Sequence, residues 1–197
     1  MIAIVDYGMG NLRSVQKALE HLGFVALVTD DARRIADASH IVLPGVGAFA
    51  DAAENLSRSG LDGAVINEVA KGKPFLGICL GMQLLFERSY ENGVTAGLSL
   101  VPGEVVPFNV SGLKVPHMGW NDLCARDNPL ITGTPYVYFV HSYHASGVPE
   151  DNIIAETDYG YRFTAAVRKD NVFGFQFHPE KSGDAGLAML KRFGEFS

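Results

Sequence analysis

Residues Pro74-Phe-Leu-Gly77-Ile-Cys79-Leu-Gly81-Met-Gln83 join an apolar strand to the start of a helix through a turn that contains a cysteine. Their G-x-C-x-G pattern is the thiol counterpart of the G-x-S-x-G elbow. A nucleophile in such an elbow has a strained backbone, and side chains two residues away on either side would collide, which favours glycine. The turn also places the thiol at a helix N-terminus, which favours the thiolate. Taken alone, the pattern is equally compatible with a buried structural cysteine.

The segments around this turn alternate between apolar strands and amphipathic helices. The predicted strands are Ile2–Val5, Phe24–Thr29, His40–Leu43, Pro74–Ile78 and Val172–Phe177. The predicted helices are Asn11–Leu22, Ala50–Leu56, Leu61–Ala70, Met82–Arg88 and Asp184–Phe193. Between Gly97 and Ala166, turn residues separate shorter predicted strands at Val105–Phe108, Leu113–Pro116, Tyr136–Tyr143, Asn152–Thr157 and Phe163–Arg168. We therefore predict an α/β domain over residues 1–197, with a mixed, mostly parallel central sheet, helices on both faces and an added antiparallel section.

Composition narrows the classes of function. The chain has 197 residues, and 16 Lys and Arg against 22 Asp and Glu give a net charge of −6, so we expect no nucleic-acid partner. Two cysteines cannot build a disulfide scaffold, and no CxxC or HExxH spacing is present, so we expect no metal and no cofactor. The first residues lack a signal-peptide pattern and no apolar run is long enough to cross a bilayer, which favours a cytoplasmic protein without a membrane partner.

A histidine and a carboxylate stand two residues apart near the carboxyl end. The stretch Gly174-Phe-Gln-Phe-His178-Pro-Glu180 places His178 directly after an apolar strand. Sites in parallel sheets gather at the carboxyl ends of strands, so His178 and Cys79 meet if their strands are neighbours. The imidazole then takes the thiol proton, and Glu180 holds the other ring nitrogen. A solvated turn is typical of this tripeptide alone, but its combination with the cysteine elbow favours a catalytic triad.

A third predicted strand ends in the glycine-rich turn Leu43-Pro-Gly-Val46-Gly47-Ala-Phe. Glycines let the backbone N–H groups around Val46 and Gly47 point at a developing oxyanion. The N–H of Leu80, which follows the predicted nucleophile, is the expected second donor. An ordinary strand-to-helix loop has the same composition, so this assignment depends on the other two elements.

The stretches P-G-V-G-x-F, G-I-C-L-G-M-Q and F-H-P-E together resemble the class I (triad) glutamine amidotransferases. The resemblance implies a flavodoxin-like fold and a glutaminase whose nucleophile, histidine and glutamate are Cys79, His178 and Glu180. It also implies a set of residues that hold the glutamine substrate, with Glu91 pairing with the α-ammonium group. These residues are Gly47, Gln83, Glu91, Ser142 and Tyr143.

Three further stretches narrow the resemblance to one branch of the family, the glutaminase subunits of imidazole glycerol phosphate synthases. They are Asp6-Tyr-Gly-Met-Gly-Asn11, Pro116-His-Met-Gly-Trp120-Asn121 and His141-Ser-Tyr-His144. That branch forms a heterodimer with a (β/α)8-barrel cyclase and passes ammonia to it. The barrel then makes imidazole glycerol phosphate and aminoimidazole carboxamide ribotide in histidine biosynthesis. The resemblance therefore implies a cyclase partner for this chain.

Three residues are candidates for contact with such a partner. Trp120 is the only tryptophan, and it stands in a predicted Gly-Trp-Asn turn, where a loop-borne aromatic is typical of an interface anchor but is also compatible with core filling. Lys181 directly follows Glu180 and is therefore expected near the mouth of the site. The resemblance places both Lys181 and Asn11 at the partner interface.

Alternatives to this interpretation stay open. A glutaminase of another synthase, such as pyridoxal phosphate synthase, is disfavoured by the P-H-M-G-W-N and H-S-Y-H stretches. An intracellular cysteine peptidase is disfavoured by Glu180, two residues after the histidine, together with Gln83 and Glu91. A non-catalytic scaffold would normally have lost one triad residue. The second cysteine, Cys124, has no glycines at comparable spacing and is predicted to be structural.

Overall fold

The computed structural model describes residues 1–197, which form six α-helices and 14 strands. The strands are β1 (Ile2–Val5), β2 (Ala26–Thr29), β3 (His40–Gly45), β4 (Phe75–Cys79), β5 (Arg88–Ser89), β6 (Thr95–Ala96), β7 (Glu104–Pro107), β8 (His117–Asp122), β9 (Cys124–Ala125), β10 (Tyr136–His141), β11 (Tyr143–Ser146), β12 (Ile153–Asp158), β13 (Arg162–Lys169) and β14 (Val172–Phe175). The helices are α1 (Leu12–His21), α2 (Ala32–Asp37), α3 (Phe49–Ser59), α4 (Leu61–Ala70), α5 (Leu80–Gln83) and α6 (Gly183–Gly194).

Five parallel strands form one half of a large sheet, in the order β2-β1-β3-β4-β14. The first four follow the flavodoxin-like order, and β14 takes the fifth place although it comes from near the end of the chain. β14 pairs with β4 so that Phe175 lies opposite Ile78. β3 pairs with the other side of β4 so that Gly45 lies opposite Cys79. The carboxyl ends of β3, β4 and β14 therefore meet at one edge of the sheet.

The other half of the sheet is mostly antiparallel and continues from β14 through β13, β11, β7, β5 and β6. β12 pairs with the same strand β13 and also with β9. β8 and β10 form a separate two-stranded antiparallel sheet. The predicted fold, a mostly parallel sheet with an added antiparallel section, is confirmed.

Helices cover both faces of the parallel strands because the side chains of each strand alternate between two apolar cores. On β1, Ile2 and Ile4 pack on the face covered by α1 and α6. Ala3 and Val5 point to the opposite face, which α2, α3 and α4 cover. A strand that is buried on both faces is apolar throughout, and β1 is fully buried. None of the helices combines the length and the hydrophobicity that crossing a bilayer requires, and the longest has 12 residues.

The predicted helix Met82–Arg88 is wrong. The helix after Cys79 has a single turn, and the chain then bends into β5. The reason is that a segment further along the chain takes the backbone acceptors: Leu98 N–H donates to Leu84 O, and Leu100 N–H donates to Leu85 O. Those carbonyls are therefore not free to continue the helix.

Three predictions in the antiparallel section are also corrected. Residues Leu113–Pro116 are exposed and pair with no strand. The strand of this region is β8, which begins at His117, directly after the predicted segment. Trp120 therefore lies on a strand, opposite Tyr138 of β10, and not in a turn. The predicted strand Tyr136–Tyr143 is two strands that break at Ser142, because β10 pairs with β8 whereas β11 pairs with β7 and β13. Helix α2 was not predicted.

Candidate active site

Cys79 occupies a strained turn at the carboxyl end of β4, with φ 55° and ψ −111°. A Cβ atom on Gly77 would collide with the carbonyl oxygen of Gly81, and a Cβ atom on Gly81 would collide with the carbonyl oxygen of Leu43 in β3. The spacing in G-x-C-x-G is thus required by the close approach of two backbone segments, as the sequence predicted. The side chain of Cys79 is 6% exposed and reaches a cavity.

His178 reaches the same edge of the sheet because it follows β14, the neighbour of β4. Its Nδ1 lies 2.8 Å from Oε1 of Glu180, which stands in a 3₁₀ turn over residues 179–181, and the two side chains are 2% and 1% exposed. The other ring nitrogen, Nε2, is buried without a hydrogen-bond partner. Because Glu180 accepts the Nδ1 proton, Nε2 is the ring nitrogen that is left to face the neighbouring Cys79 side chain.

The charge state of this group of three residues suits general acid catalysis. Burial alone lowers the pKa of His178, but the adjacent Cys79 sulfur and the Glu180 carboxylate outweigh it and raise the pKa to about 9. The ring is therefore charged at neutral pH. A histidine in this state can deliver a proton to a leaving group.

A cavity of about 330 Å³ opens above Cys79. Its walls include the predicted oxyanion residues Val46, Gly47 and Leu80. Gly47 has a φ of +109°, a left-handed conformation that favours glycine, and lies two residues before the first residue of helix α3. The loop after β3 and the first residue of α5 thus border the same space as the sulfur.

The predicted substrate-binding residues Gln83, Glu91, Ser142 and Tyr143 line the same cavity. Gln83 Nε2 donates to the carbonyl oxygen of Tyr143 at 3.0 Å. Glu91 Oε2 accepts from the backbone N–H of Phe49 at 2.8 Å, at the first residue of α3. A carboxylate at a helix N-terminus is stabilised by the free N–H groups and the helix dipole there. Glu91 is therefore held in place at the cavity wall.

Sequence reasoning missed four residues of this site. Pro116, Val140 and His141 line the cavity, and the carbonyl oxygen of Val140 lies 3.9 Å from Cys79 Sγ. Gln176 is completely buried and its Nε2 lies 3.8 Å from the same sulfur. The signal for Gln176 was present, since it is the one polar side chain inside the apolar run from Val172 to Phe177.

The candidate interface residues lie beside this cavity and do not line it. The ring of Trp120 is 6.2 Å from that of Tyr138, and Lys181 Nζ lies 6.0 Å from the Tyr138 ring. Tyr138 in turn accepts, through its carbonyl oxygen, a 2.9 Å hydrogen bond from the backbone N–H of His178. Trp120 and Lys181 are exposed, and Trp120 is 55% exposed. These side chains form an exposed surface that is connected to the backbone of His178.

Asn11 lies on a different element, at the start of α1, and accepts a 2.8 Å hydrogen bond from Ser14 Oγ. α1 packs against the turn that carries Glu180. Cys124 is on β9, opposite Glu156 of β12, and is exposed. It is therefore not the buried core residue that free cysteines often are. No three His, Cys, Asp or Glu side chains lie close enough together to hold a metal ion.

The sequence model of the family described as "Glutamine amidotransferase class-I" matches residues 3–195. The chain belongs to the class-I glutamine amidotransferase family. Within that family, it is 53% identical over 199 residues to "Imidazole glycerol phosphate synthase subunit HisH" of Caldanaerobacter subterraneus subsp. tengcongensis, which covers 99% of this chain and 98% of the relative. A protein of the same name from Salinibacter ruber is 49% identical over 203 residues, covering 98% of this chain and 93% of the relative.

Solved structures agree with the amidotransferase fold. The chain superposes on a chain of PurLQS from Thermotoga maritima with a TM-score of 0.78, covering 99% of this chain and 97% of that one. The identity between the two is 23%, so this similarity concerns the fold alone.

Proposed function

We propose that this amidotransferase is the glutaminase subunit of an imidazole glycerol phosphate synthase and that residues 1–197 act as one domain. Support for the choice of synthase comes from near-full-length relatives of that name at 53% and 49% identity. The observation that carries the chemistry is the buried 2.8 Å contact between His178 and Glu180 beside the strained Cys79 elbow.

In the first half of the proposed reaction, the Cys79 thiolate attacks the side-chain carbonyl carbon of glutamine. The N–H of Leu80 and the backbone of the Val46–Gly47 loop stabilise the oxyanion that forms. His178, charged at neutral pH, donates the Nε2 proton to the departing nitrogen as the C–N bond breaks. Ammonia leaves, and a γ-glutamyl thioester remains on the sulfur.

In the second half, water attacks the thioester while His178, now neutral, accepts a proton from it. The C–S bond breaks, and the products are glutamate and the free Cys79 side chain. Glu180 holds the ring in one orientation throughout. Gln83, Glu91 and the backbone of Ser142 and Tyr143 hold the substrate, with the Glu91 carboxylate as the partner of the α-ammonium group.

The ammonia is passed to a partner. We propose a heterodimer with a (β/α)8-barrel cyclase, which uses the ammonia to make imidazole glycerol phosphate and aminoimidazole carboxamide ribotide in histidine biosynthesis in the cytoplasm. The exposed surface formed by Trp120, Tyr138 and Lys181 supports this proposal, because it lies beside the cavity and carries an aromatic residue, Trp120, that is 55% exposed.

The test is a glutaminase assay of the purified chain with and without the cyclase, in the presence of the cyclase ligand. Cys79→Ala is expected to abolish glutamine-dependent synthesis, while the complex keeps its activity with added ammonium. The control Cys124→Ser removes the other thiol and is expected to keep both activities. Glutamine-dependent synthesis by the Cys79→Ala variant would rule out the assigned nucleophile.

Two alternative functions would give different outcomes in this assay and in labelling of Cys79. A glutaminase of another synthase, such as pyridoxal phosphate synthase, would hydrolyse glutamine but would not support the cyclase. A cysteine peptidase would cleave peptides and would not be labelled by a chloroketone analogue of glutamine at Cys79.

A further inference from the structure

A chain of side-chain amides ends on the sulfur of Cys79. Gln176 is fully buried at the carboxyl end of β14, two residues before His178. Its Nε2 lies 3.8 Å from Cys79 Sγ, and its Oε1 lies 3.1 Å from Nε2 of Gln83. Gln83 Nε2 also lies 3.0 Å from the carbonyl oxygen of Tyr143. Gln176 is absent from the cavity wall, so it contacts the sulfur from within the protein.

The orientation of both amides follows from the backbone carbonyl at the start of this chain. A carbonyl oxygen can only accept, so the group of Gln83 that faces Tyr143 must be the NH₂ group. That NH₂ group donates its second proton to Gln176, whose oxygen must therefore face Gln83. The remaining group of Gln176, its NH₂, is left to face the sulfur. The carbonyl of Tyr143 thus determines that Gln176 presents a donor, and not an acceptor, to the sulfur of Cys79.

The starting carbonyl is itself held firmly. Tyr143 O accepts a second hydrogen bond from Nδ1 of His141 at 2.8 Å. The other nitrogen of His141 lies 3.2 Å from Nδ1 of His117, and both rings are buried. A buried hydrogen-bond network of this kind restricts its members to one arrangement.

We propose that Gln176 is a positioning residue that donates a hydrogen bond from Nε2 to the Cys79 sulfur and thereby favours the thiolate over the thiol. A charged sulfur is the stronger acceptor, so a fixed donor stabilises the ionised form more than the neutral one. This inference rests on the proposed function only in taking Cys79 as the nucleophile. It assigns to Gln176 a role distinct from that of His178, which exchanges a proton with the same sulfur.

The test measures the ionisation of Cys79 without glutamine. In a Cys124→Ser background, which removes the exposed second thiol, the rate of alkylation by iodoacetamide is followed against pH. Gln176→Met keeps the length of the side chain and removes its donor, and the pH of half-maximal rate is expected to rise by about one unit. The matched control is Gln16→Met on α1, which removes the 3.2 Å amide hydrogen bond from Gln16 to Ala26 O of β2 and should leave that pH unchanged. An unchanged midpoint in folded Gln176→Met would overturn the proposal.

Steady-state kinetics separate this role from a merely structural one. Because Gln176 does not line the cavity, Gln176→Met should lower kcat for glutamine hydrolysis about tenfold while KM stays within twofold. A rise in KM with an unchanged kcat would contradict the proposal. Since alkylation needs no glutamine, a protein that lacks glutaminase activity but shows the shifted midpoint would refute the proposed function and keep this inference.

A second measurement uses the native Gln176 in case the Met variant does not fold. In the ¹⁵N-labelled protein, the side-chain amide signals of Gln176 should shift when Cys79 is replaced in Cys79→Ala, while those of Gln16 stay in place. Unchanged Gln176 signals would overturn the inference.

Discussion

Nδ1 of His117 lies 3.2 Å from Nε2 of His141, and the direction of the hydrogen bond between these rings is fixed. Because His141 donates its Nδ1 proton to a backbone carbonyl, its Nε2 must accept from His117. Burial lowers the pKa of His117 to about 4 and that of His141 to about 3. Both rings are therefore neutral throughout the physiological range, and each has a single tautomer.

We expect this buried pair to destabilise the protein in mild acid. The unfolded chain binds these protons near pH 6.5, whereas the folded chain resists them until about pH 4 and 3. The stabilisation is therefore complete above pH 6.5 and is lost as the pH falls, by about 2 kcal/mol for each ring between pH 6.5 and 5. Urea unfolding at a series of pH values measures this loss. His117→Gln should reduce the pH dependence, and the control His21→Gln, at an exposed position, should not. Equal slopes in wild type and His117→Gln would contradict the expectation.

Removal of the carboxylate beside His178 should shift the alkaline limit of activity. Burial lowers the pKa of His178, and Glu180 is one of two groups that raise it to about 9. In Glu180→Gln the pKa should therefore fall, and the alkaline limb of the kcat/KM profile should move to lower pH with a rate loss of about a hundredfold. Glu195→Gln, at an exposed site on the carboxyl-terminal side of α6, serves as control. If wild type, Glu180→Gln and Glu195→Gln had the same alkaline limit, Glu180 would not be a group that raises the pKa of His178.

The same ion pair predicts how stability changes in mild alkali. Because the pKa of His178 is raised by folding, its contribution is complete below pH 6.5 and disappears as the pH rises through about 9. Glu180→Gln should therefore reduce the loss of unfolding free energy between pH 7 and 9. This is opposite in sign to the effect of the His117–His141 pair.

The elbow should not tolerate a methyl group at its second glycine. In Gly81→Ala, the new Cβ would collide with the Leu43 carbonyl of β3, and backbone cannot yield as a flexible side chain does. We expect a loss of about 2 kcal/mol or more in unfolding free energy. The matched control is Gly63→Ala in α4, where a Cβ meets nothing within 4 Å, and it should stabilise the protein by about 0.5 kcal/mol. Thermal and urea unfolding compare the two. Equal stability of both variants would show that the close contact between Gly81 and the Leu43 carbonyl is not needed for stability.

Trp120 should matter for binding of the cyclase and not for folding. Its side chain is 55% exposed, so Trp120→Ala should leave the melting temperature nearly unchanged. Loss of a central aromatic anchor typically weakens binding by tenfold or more. Val25 is also an exposed apolar residue, but it precedes β2 at the amino edge of the sheet, opposite to the cavity. Val25→Ala is therefore the control. Calorimetric titration with the cyclase measures both, and wild-type affinity for Trp120→Ala would exclude this surface.

The parallel half of the fold and the elbow could be predicted because their signals are local. The glycines around Cys79 are needed because a Cβ atom there would collide with backbone, and the apolar run before His178 is typical of a strand that is buried on both faces. The length of α5 could not be predicted, because its end depends on distant residues. The N–H groups of Leu98 and Leu100 donate to the carbonyls that follow α5 and that a longer helix would need. β8 was missed for a similar reason, because it pairs only with β10, which begins further along the chain at Tyr136.

The position of β14 beside β4 also has a consequence for the chain while it is being synthesised on the ribosome. The cysteine elbow emerges from the ribosome about a hundred residues before His178 and Glu180, and β14 must insert between β4 and β13 to bring them together. A nascent polypeptide therefore carries a thiol without its base until translation has passed Glu180. Incomplete chains that end before His178 should therefore release no ammonia.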